Sequence, residues 1–382
     1  MKNILYLHAG AEMYGADKIL LEIISGIDRS KYNPIVVLPN DGVLVTELKK
    51  LDIDVYIVNY PILRRKYFNF KGMLNYLVQY KIKIKEIYKI IEDKEIDIIH
   101  VNTTAVLEGI SLKRKCHAKL LWHVHEIITN PKFVNYFICF LLGAFADKIV
   151  AVSEATKNNI VKSKLVSSNK IYVVHNGIKN SDIQLKQCGY LFDEFKINTS
   201  SRRIGMIGRI NSWKGQKDFV DALVPILENH KDTFAFIIGG VFDGEEWRVN
   251  DLKEYINKTS VANRFILSDF RNDTEYLFKF FDIFVMPSIR PDPFPTVVLE
   301  AMSAGKPIVG YNHGGVTEMV RQSVNGFLSK PKCPQGITES IEKLLDDKSI
   351  LEDFGQQSQR MQRELFSIKK FNERFDELYE SL

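Results

Sequence analysis

The most regular feature of this chain is an alternation between short, continuous apolar runs and longer segments whose apolar residues recur every three to four positions. Continuous runs rich in valine and isoleucine are typical of parallel strands covered by helices on both faces, and the second spacing is typical of amphipathic helices. Alternating strands and helices of this kind predict doubly wound α/β units. The runs predicted as strands are NILYLH, NPIVVLP, DVYIVN, DIIHVN, LLWHVH, KIVAVS and KIYVVHN, followed by RIGMIG, AFIIGG, RFILS, IFVMPS, PIVGY and GFLS.

The length of the chain, 382 residues, predicts two domains, because single hydrophobic cores rarely grow so large. A polar stretch without clear periodicity separates the two sets of predicted strands. We therefore predict an N-terminal domain over residues 1–180, a linker over 181–202 and a second domain over 203–355. Residues 356–382 carry one or two helices and no further strand, and these helices are expected to pack back on the N-terminal domain.

Charge is unevenly distributed along the chain, although the net charge is only +5. Residues 62–94 hold nine Lys and Arg against three acids, with six aromatic residues interleaved. Such a segment is either the solvated face of an amphipathic helix or a surface that rests on anionic lipid, and both interpretations stay open. Nucleic acid is not an expected partner, because the basic residues follow one helical face without a recognised module.

Cysteine usage and apolar stretches bear on the compartment. The four cysteines lie far apart without a CxxC pair, which argues against zinc and against a disulfide framework and fits a reducing cytoplasm. The first apolar run is too short for a signal peptide. Residues 133–146 are apolar but fall short of a bilayer span, so they predict a buried helix, with a monotopic membrane contact as the alternative. The expected location is the cytoplasm, at the inner face of the membrane if the lipid contact holds.

Candidate chemistry is sought beyond the carboxyl ends of the strands, where open α/β sheets bind ligands. Gly10 and Gly15 lie in the loop after the first strand; they do not form a dinucleotide fingerprint, and a plain tight turn explains them equally well. His123 and His125 are two positions apart on a strand and so face the same side, with Glu126 at the strand end. Of the two histidines, His125 is the better functional candidate.

A second candidate follows the first strand of the second half, in GRINSWKGQKDFVDAL. Gly208 ends the strand, and Arg209 and Lys214 flank a loop that leads into a helix. Two cations beside the free amides of a helix N-terminus make a phosphate site. The alternative is a solvated surface loop.

The third candidate is the proline-rich stretch RPDPFPTVVLEAMSAGKPIVG, residues 290–310. It predicts a helix with Pro295 in its first turn that runs to about Ala304 and ends at Gly305. Glu300 lies among apolar neighbours on this helix, and ligand hydroxyls would satisfy such a carboxylate. Because prolines donate no hydrogen bond, the amides left to meet a ligand are those of Phe294, Thr296 and Val297.

These motifs, together with AVSEATKNNI, VVHNGI, HVHE, GGVTEMV and NGFLS, resemble those of retaining glycosyltransferases of family 4, also called glycosyl transferases group 1. The likeness runs in order over nearly the whole chain, and the combination is specific although each piece is weak. It implies a GT-B fold: two Rossmann-like, doubly wound domains that face each other across a cleft. A nucleotide-sugar donor would lie mainly on the C-terminal domain and an acceptor mainly on the N-terminal domain.

The resemblance also implies roles for individual residues. Arg209 and Lys214 would hold the diphosphate, and Glu300 the ribose. The residues expected to act in catalysis are His125, Asp292, Arg209 and Lys214. The donor set is Gly15, Gly208, Arg209, Lys214, Phe270, Asp292, Phe294, Pro295, Thr296, Val297 and Glu300, and the acceptor set is Gly10, Tyr14, His123 and Glu126. No metal and no other cofactor is expected, because cations and helix amides can stabilise a leaving diphosphate.

The implied activity is that of a hexosyltransferase. It would move a sugar from a nucleotide-sugar, with UDP favoured and GDP as the other candidate, to a saccharide or lipid-linked acceptor in bacterial surface polysaccharide synthesis. Two departures bear on the donor sugar, since the family usually has Glu at the position of Asp292 and often Gly at that of Pro295. A sugar-nucleotide epimerase of the same fold and a non-catalytic nucleotide-sugar-binding subunit are the alternatives.

Overall fold

The computed structural model describes residues 1–382, apart from the side chain of Arg65. The chain divides into two compact units, each with its own parallel sheet. The first unit comprises Met1–Gly177 and Ile368–Leu382, and the second comprises Ile178–Ser367. These are two Rossmann-like domains, as the alternating pattern predicted.

The first unit contains a seven-stranded parallel sheet in the order β3-β2-β1-β4-β5-β6-β7. Each of the seven apolar runs of the first half contributes one of these strands. Its elements are β1 (Lys2–Leu7), α1 (Gly15–Gly26), β2 (Tyr32–Leu38), α2 (Val43–Lys50), β3 (Asp54–Ile57), a 3-10 turn (Arg65–Tyr67), α3 (Phe70–Ile91), β4 (Ile96–Val101), α4 (Glu108–Cys116), β5 (Lys119–Val124), α5 (Lys132–Phe145), β6 (Lys148–Ala151), α6 (Glu154–Val161), a 3-10 turn (Ser168–Lys170) and β7 (Ile171–Val173).

The last helix of the chain, α15 (Ile368–Glu380), also belongs to this unit. Helices α3, α4 and α5 pack on one face of the sheet, in a core that contains Trp122 and Leu142. Helices α1, α2 and α15 pack on the other, where Phe375 and Tyr379 are buried. Both faces are covered, which explains why the strands read as continuous apolar runs.

The second unit contains a six-stranded parallel sheet in the order β10-β9-β8-β11-β12-β13, one strand for each apolar run of the second half. Its elements are a 3-10 turn (Leu185–Cys188), α7 (Gly189–Phe195), β8 (Arg202–Ile207), α8 (Gln216–Asn229), β9 (Thr233–Ile238), α9 (Trp247–Asn257), a 3-10 turn (Ala262–Arg264), β10 (Phe265–Ser268), α10 (Thr274–Phe280), β11 (Ile283–Met286), α11 (Thr296–Ser303), β12 (Ile308–Tyr311), α12 (Val316–Met319), β13 (Gly326–Ser329), α13 (Pro334–Asp346) and α14 (Lys348–Leu365).

The unit boundaries differ from the expected ones. Residues 181–202 are not a separate linker: they contain the helix α7 and belong to the second unit. The rings of Phe192 and Phe195 pack against those of Phe280 and Phe236, which ties this segment to its neighbours. Of the two terminal helices, α14 belongs to the second unit and only α15 to the first.

Two helices differ in detail from the predictions. Pro295 precedes α11 as its N-cap residue in extended conformation, and does not stand in its first turn. Helix α5 was expected to be buried, but only one side of it is, with Ile138 and Leu142 in the core and Phe133 and Phe140 exposed. Within the described residues, no helix is both long and apolar enough to cross a membrane.

Each sheet has one point where the strand order reverses. In the first unit this switch point lies between β1 and β4, and in the second between β8 and β11. The loops that follow the two central strands diverge there and leave a crevice at the carboxyl edge, where such sheets bind ligands.

Candidate functional site

In the second unit, the conformation of the loop after β8 is fixed by two backbone amides that donate to one side chain. Asn211 Oδ1 accepts from the amides of Trp213, at 3.0 Å, and Lys214, at 2.9 Å. Gly215 then takes a left-handed φ of 82° before α8 begins, and a Cβ at this position would lie 1.8 Å from the Pro287 carbonyl oxygen. Only glycine fits here, because the loop after β8 runs directly against the chain that leaves β11.

An ion pair joins these two loops at the switch point. Lys214 Nζ donates to Asp292 Oδ2 at 2.6 Å, and the two side chains are 20% and 11% exposed. Lys214 Nζ also lies 4.5 Å from the centroid of the Trp213 ring. Lys214 and Asp292, which were predicted separately as site residues, are therefore brought together, and the partial exposure of their side chains leaves them within reach of a ligand.

Arg209, the second predicted cation, is positioned by the loop after β9. Its guanidinium carbon lies 3.5 Å from the centroid of the half-exposed Phe242 ring, a stacked cation–π arrangement. The Gln216 amide holds the Arg209 backbone by donating to its carbonyl at 3.0 Å. Arg209 thus follows β8 by two residues with its side chain ordered and partly exposed.

Asp292 is fixed by a glycine pair that the sequence had not singled out for the site. The Gly315 amide donates to the Asp292 carbonyl at 2.8 Å. Gly314 has a φ of 68°, and a Cβ there would lie 2.5 Å from the Asp292 carbonyl oxygen; at Gly315 it would lie 2.0 Å from that of Pro293. The side-by-side packing of these backbones requires both glycines. The only hint in the sequence was GGVTEMV, which contributed to the resemblance.

The N-terminus of α11 bears several of the predicted donor residues, with different exposures. Thr296, Val297 and Glu300 are partly exposed and remain candidates for ligand contacts. The side chain of Phe294 is only 4% exposed, and its ring packs 5.5 Å from that of Phe366, so only its amide, which was the predicted contact, stays a candidate. Pro295 is also buried, and both side chains hold the turn.

Phe270 and Gly208 lie at the same edge of the second sheet. Phe270 is 59% exposed in the loop after β10. The Gly239 amide, at the end of β9, donates to the Ser268 carbonyl at 3.0 Å, and a Cβ on Gly239 would lie 2.3 Å from the Gly208 carbonyl oxygen. The loops after β8, β9 and β10 are thus linked side by side.

In the first unit, the loop after β1 carries a buried histidine–aspartate pair. His8 Nε2 and Asp17 Oδ1 are 2.5 Å apart, and both residues are nearly inaccessible. Asp17 also accepts the Tyr14 amide at 2.8 Å, so it fixes the start of α1. Of the residues predicted in this loop, Tyr14 and Gly15 are exposed. Gly10 is buried and does not present a surface that an acceptor substrate could contact.

Asn102, directly after β4, connects this pair to His125. Its Nδ2 donates to the Ala16 carbonyl at 3.1 Å and lies 3.3 Å from His8 Nδ1, while its Oδ1 lies 3.0 Å from His125 Nε2. The carbonyl of Ala16 can only accept, which fixes the orientation of the amide. The His125 Nε2 must therefore carry the hydrogen, and its Nδ1 is left as an acceptor.

Burial keeps His125 neutral. Loss of solvation lowers the pKa of its imidazole to about 3, and neighbouring His8 lowers it further, against the opposing charge of Asp17. A neutral imidazole with an acceptor at Nδ1 can bind a hydroxyl group, but it does not supply positive charge.

The carboxyl group of Glu126 accepts hydrogen bonds from residues that follow β4 and β5. Thr103 Oγ1 donates to its Oε1 at 2.5 Å, and the His125 amide donates to its Oε2 at 3.1 Å. Burial raises the pKa of the carboxyl, although these hydrogen bonds act in the other direction. Glu126 thus braces the strand-end loops.

His123 does not reach the surface, in contrast to its predicted acceptor role. It shares the side of β5 that His125 occupies, with ring centroids 4.0 Å apart, but it is fully buried. Its ring packs against those of His100 and Phe375, and burial holds the pKa values of His100 and His123 well below their usual range. It is a core residue within β5, whereas His125 follows the end of the strand.

The two switch points therefore offer different chemistry. The second unit presents ordered cations beside a helix N-terminus, which suits a phosphate group. The first presents the neutral imidazole of His125, whose Nδ1 suits a hydroxyl group, while the carboxyl groups of Asp17 and Glu126 are engaged by neighbouring residues. Among the described residues, no group of His, Cys, Asp and Glu side chains is arranged to hold a metal ion.

Two family models match the chain, in order. Residues 13–181 match the model described as Glycosyltransferase Family 4, and residues 191–361 match that described as Glycosyl transferases group 1. Each match falls largely within one of the two units.

Similar proteins include two bacterial enzymes. An Escherichia coli protein named UDP-Gal:alpha-D-GlcNAc-diphosphoundecaprenol alpha-1,3-galactosyltransferase is 25% identical over 357 residues, 87% of each chain. The capsular polysaccharide biosynthesis glycosyltransferase CapM of Staphylococcus aureus is 26% identical over 260 residues, which span 66% of this chain and 67% of CapM.

Among solved structures, Anabaena HepE in complex with UDP superposes over the whole of both chains. The TM-score is 0.85 at 25% identity.

Proposed function

Because this chain belongs to the group 1 glycosyltransferases of the GT-B fold, we propose that it transfers a hexose from a UDP-sugar to a saccharide or lipid-linked acceptor with retention of anomeric configuration. The observation that carries the proposal is the pairing of Lys214 with Asp292 at the switch point of the second unit. A cation that is ordered, partly exposed and next to a helix N-terminus is suited to a diphosphate.

The donor is proposed from the site and from a similar structure. Arg209 and Lys214 would bind the diphosphate, Glu300 the ribose, and the loop of Phe270 the base. UDP is preferred to GDP because HepE was crystallised with UDP and the E. coli relative is named for a UDP-sugar. Asp292, one methylene shorter than the usual Glu, would meet a hydroxyl of the donor sugar.

The chemical step requires stabilisation of the departing UDP. In the proposed mechanism Lys214 and Arg209 neutralise charge that develops on the diphosphate as the glycosidic bond breaks, which needs no metal. The acceptor hydroxyl oxygen bonds to the anomeric carbon on the face from which UDP leaves, and a phosphate oxygen of the departing UDP takes its proton, which accounts for retention. His125, neutral and with Nδ1 as an acceptor, would position a sugar hydroxyl.

The acceptor class is proposed from the named relatives. One is named for a diphosphoundecaprenol-linked sugar and another for capsular polysaccharide biosynthesis. Both names support a role in assembling a surface polysaccharide.

Donor binding is the first test. UDP, UDP-glucose, UDP-galactose, UDP-N-acetylglucosamine and GDP-mannose should be compared by thermal shift, since a ligand that binds only the folded state raises the melting temperature. We expect UDP and at least one UDP-sugar to stabilise the protein, followed by slow hydrolysis or transfer of that sugar. Glu300→Ala should remove the stabilisation, and Glu352→Ala, an exposed glutamate of α14, serves as the matched control.

A folded protein that binds none of these nucleotides would contradict the proposal. Epimerised nucleotide-sugar formed without an acceptor would identify an epimerase instead.

A further inference from the structure

The exposed apolar residues of the protein are concentrated on two helices of the first unit. On α3 they follow one stripe at helical spacing: Phe70, Leu74, Leu77, Val78 and Ile82, which are between 47% and 88% exposed. The opposite side of the same helix is buried through Tyr76, Ile84 and Ile87. The outer stripe is therefore additional to the one that holds the helix to the sheet.

Helix α5 shows the same two-sided pattern. Phe133, Tyr136, Phe137 and Phe140 are between 42% and 62% exposed, while Ile138, Leu141 and Leu142 face the core. A surface helix ordinarily presents polar residues to water. Here the water-facing side is mainly aromatic, which costs solvation free energy unless something covers it.

The two stripes belong to one surface. Both helices pack on the same face of the sheet and share one core, so their outer sides point away from the sheet in the same direction. The rings of Phe68 and Phe133 meet at a centroid distance of 6.1 Å and join the chain just before α3 to the start of α5. We call the nine exposed apolar residues of α3 and α5 the outer apolar surface.

The charges around the outer apolar surface are almost all positive. Helix α3 carries five lysines and a single acid, Glu86, which is already paired with Lys83 at 2.6 Å. Helix α5 has no acid and begins at Lys132. The exposed side chains of Arg64 and Lys66 lie just before α3; that of Arg65 is outside the described residues.

We propose that the outer apolar surface docks on a membrane that contains anionic lipid, with the aromatic and aliphatic side chains of α3 and α5 at the level of the headgroups and upper acyl chains. Aromatic and aliphatic side chains on one side of a helix with lysines around them are the composition of interfacial helices. The lysines would contact lipid phosphates.

Charge selects a membrane over a second copy of the chain. A symmetric dimer through this surface would place the lysines of one α3 near those of the other, and like charges at an interface are unfavourable. Anionic headgroups neutralise the same lysines. The sequence left a lipid contact open for residues 62–94 and a monotopic contact open for residues 133–146; the structure places both stretches on one face and shows which of their apolar side chains are exposed.

The proposal agrees with a lipid-linked acceptor but does not depend on the proposed function. Vesicle binding is measured without donor or acceptor. Failure of the membrane proposal would therefore leave the transferase proposal untouched, and the reverse is also true.

Flotation with vesicles of phosphatidylcholine, with and without phosphatidylglycerol, tests the docking. We expect the protein to float with anionic vesicles and less with neutral ones. Phe70→Ser combined with Phe137→Ser should weaken binding about tenfold or more, since exposed apolar area is removed without disturbing the core. Lys81→Glu combined with Lys85→Glu should weaken it on anionic vesicles.

The matched control is Val43→Ser combined with Leu51→Ser, two exposed apolar residues at the ends of α2, which packs on the other face of the same sheet. It should float like the wild type. Brominated lipid should quench the fluorescence of the tryptophan introduced by Phe140→Trp but not that introduced by Leu51→Trp, after the signal of the native tryptophans is subtracted.

Circular dichroism and thermal melting establish that each variant is folded. No flotation by the wild type, or equal flotation by the Phe70→Ser/Phe137→Ser variant, would overturn the proposal. So would a concentration-dependent dimer that this variant dissociates.

Discussion

The two switch points occupy equivalent positions in two sheets of the same type, yet one presents a neutral imidazole and the other an ion pair. In the first unit, Asn102 links His8 to His125 through hydrogen bonds, and burial keeps His125 uncharged. In the second unit, Lys214 and Asp292 form an ion pair that is partly exposed. The fold determines where a ligand can bind, and the side chains at the strand ends determine which kind.

The difference indicates a division of tasks. The imidazole of His125, whose pKa is lowered to about 3, can orient a hydroxyl group without a change of charge across the physiological pH range. The partly exposed Lys214 can stabilise a phosphate, but to do so it has to exchange its ion pair with Asp292 for one with the ligand. We expect the second unit to bear most of the donor binding, and the predictions below follow from that expectation.

Lys214→Ala should have the largest effect. Removal of one preorganised donor to a developing charge costs about 100-fold or more in rate, so transfer should fall by at least that factor. Lys231→Ala, an exposed lysine of the same unit, should leave the rate unchanged. Adding Asp292→Asn should recover stability lost to the unpaired carboxylate, but not activity. Wild-type turnover by Lys214→Ala would contradict the role proposed for the ion pair of the second unit.

Glu108 should make the stability of the first unit depend on pH. This carboxyl, at the first turn of α4, is fully buried, and burial raises its pKa from 4.5 to about 8. Between these values the folded state holds a proton that the unfolded chain has released, so the free energy of unfolding falls as pH rises. From pH 6.5 to 8 the loss should be about 2 kcal/mol.

The buried histidines act in the opposite direction and in another range. Their pKa values are lowered, so they reduce stability only as pH falls below about 6.5, where the unfolded chain takes up protons. Urea unfolding at pH 6.5 and 8 should therefore show a loss that Glu108→Gln strongly reduces. Glu154→Gln, the exposed first residue of α6, should retain it. An unchanged pH dependence in Glu108→Gln would show that Glu108 is not the cause.

Asn102→Leu should have the smallest of the three effects on the protein. It removes the hydrogen bond that fixes the tautomer of His125, and one net hydrogen bond is worth about 1 kcal/mol, so kcat should fall about fivefold. Stabilisation by UDP should be retained, because the nucleotide is assigned to the second unit. Loss of UDP binding together with kcat would show that the two switch points do not divide the work as described.

The strands were predictable because their physical signal is local. Each of the thirteen apolar runs contains one strand, since a parallel strand buried on both faces needs consecutive apolar residues. The boundary between the units was less accessible. Helix α7 is only seven residues long and lies in a polar segment without clear periodicity. The segment could therefore not be distinguished from a linker, although Phe192 and Phe195 pack against the second unit.

The candidate site was predictable only in part. Lys214 could be singled out because it lies in a loop between a strand end and a helix N-terminus, and Asp292 was identified through the resemblance of its proline-rich stretch. The sequence did not identify Asn102, His8 and Asp17 as site residues. It places a polar residue at the end of a strand, but it does not show which residue of another strand that side chain contacts. The aromatic side of α5 was missed for a related reason: a stretch that is apolar on all sides has no periodicity to show which side is buried.

The placement of α15 has a consequence for how the protein is made. Phe371, Phe375 and Tyr379 complete the core of the first unit, where the Tyr379 hydroxyl lies 2.7 Å from His100 Nδ1. A ribosome adds these residues after the whole second unit has been synthesised. The half of the protein translated first is thus finished last, and its sheet must wait with one face incompletely covered until α15 has left the exit tunnel.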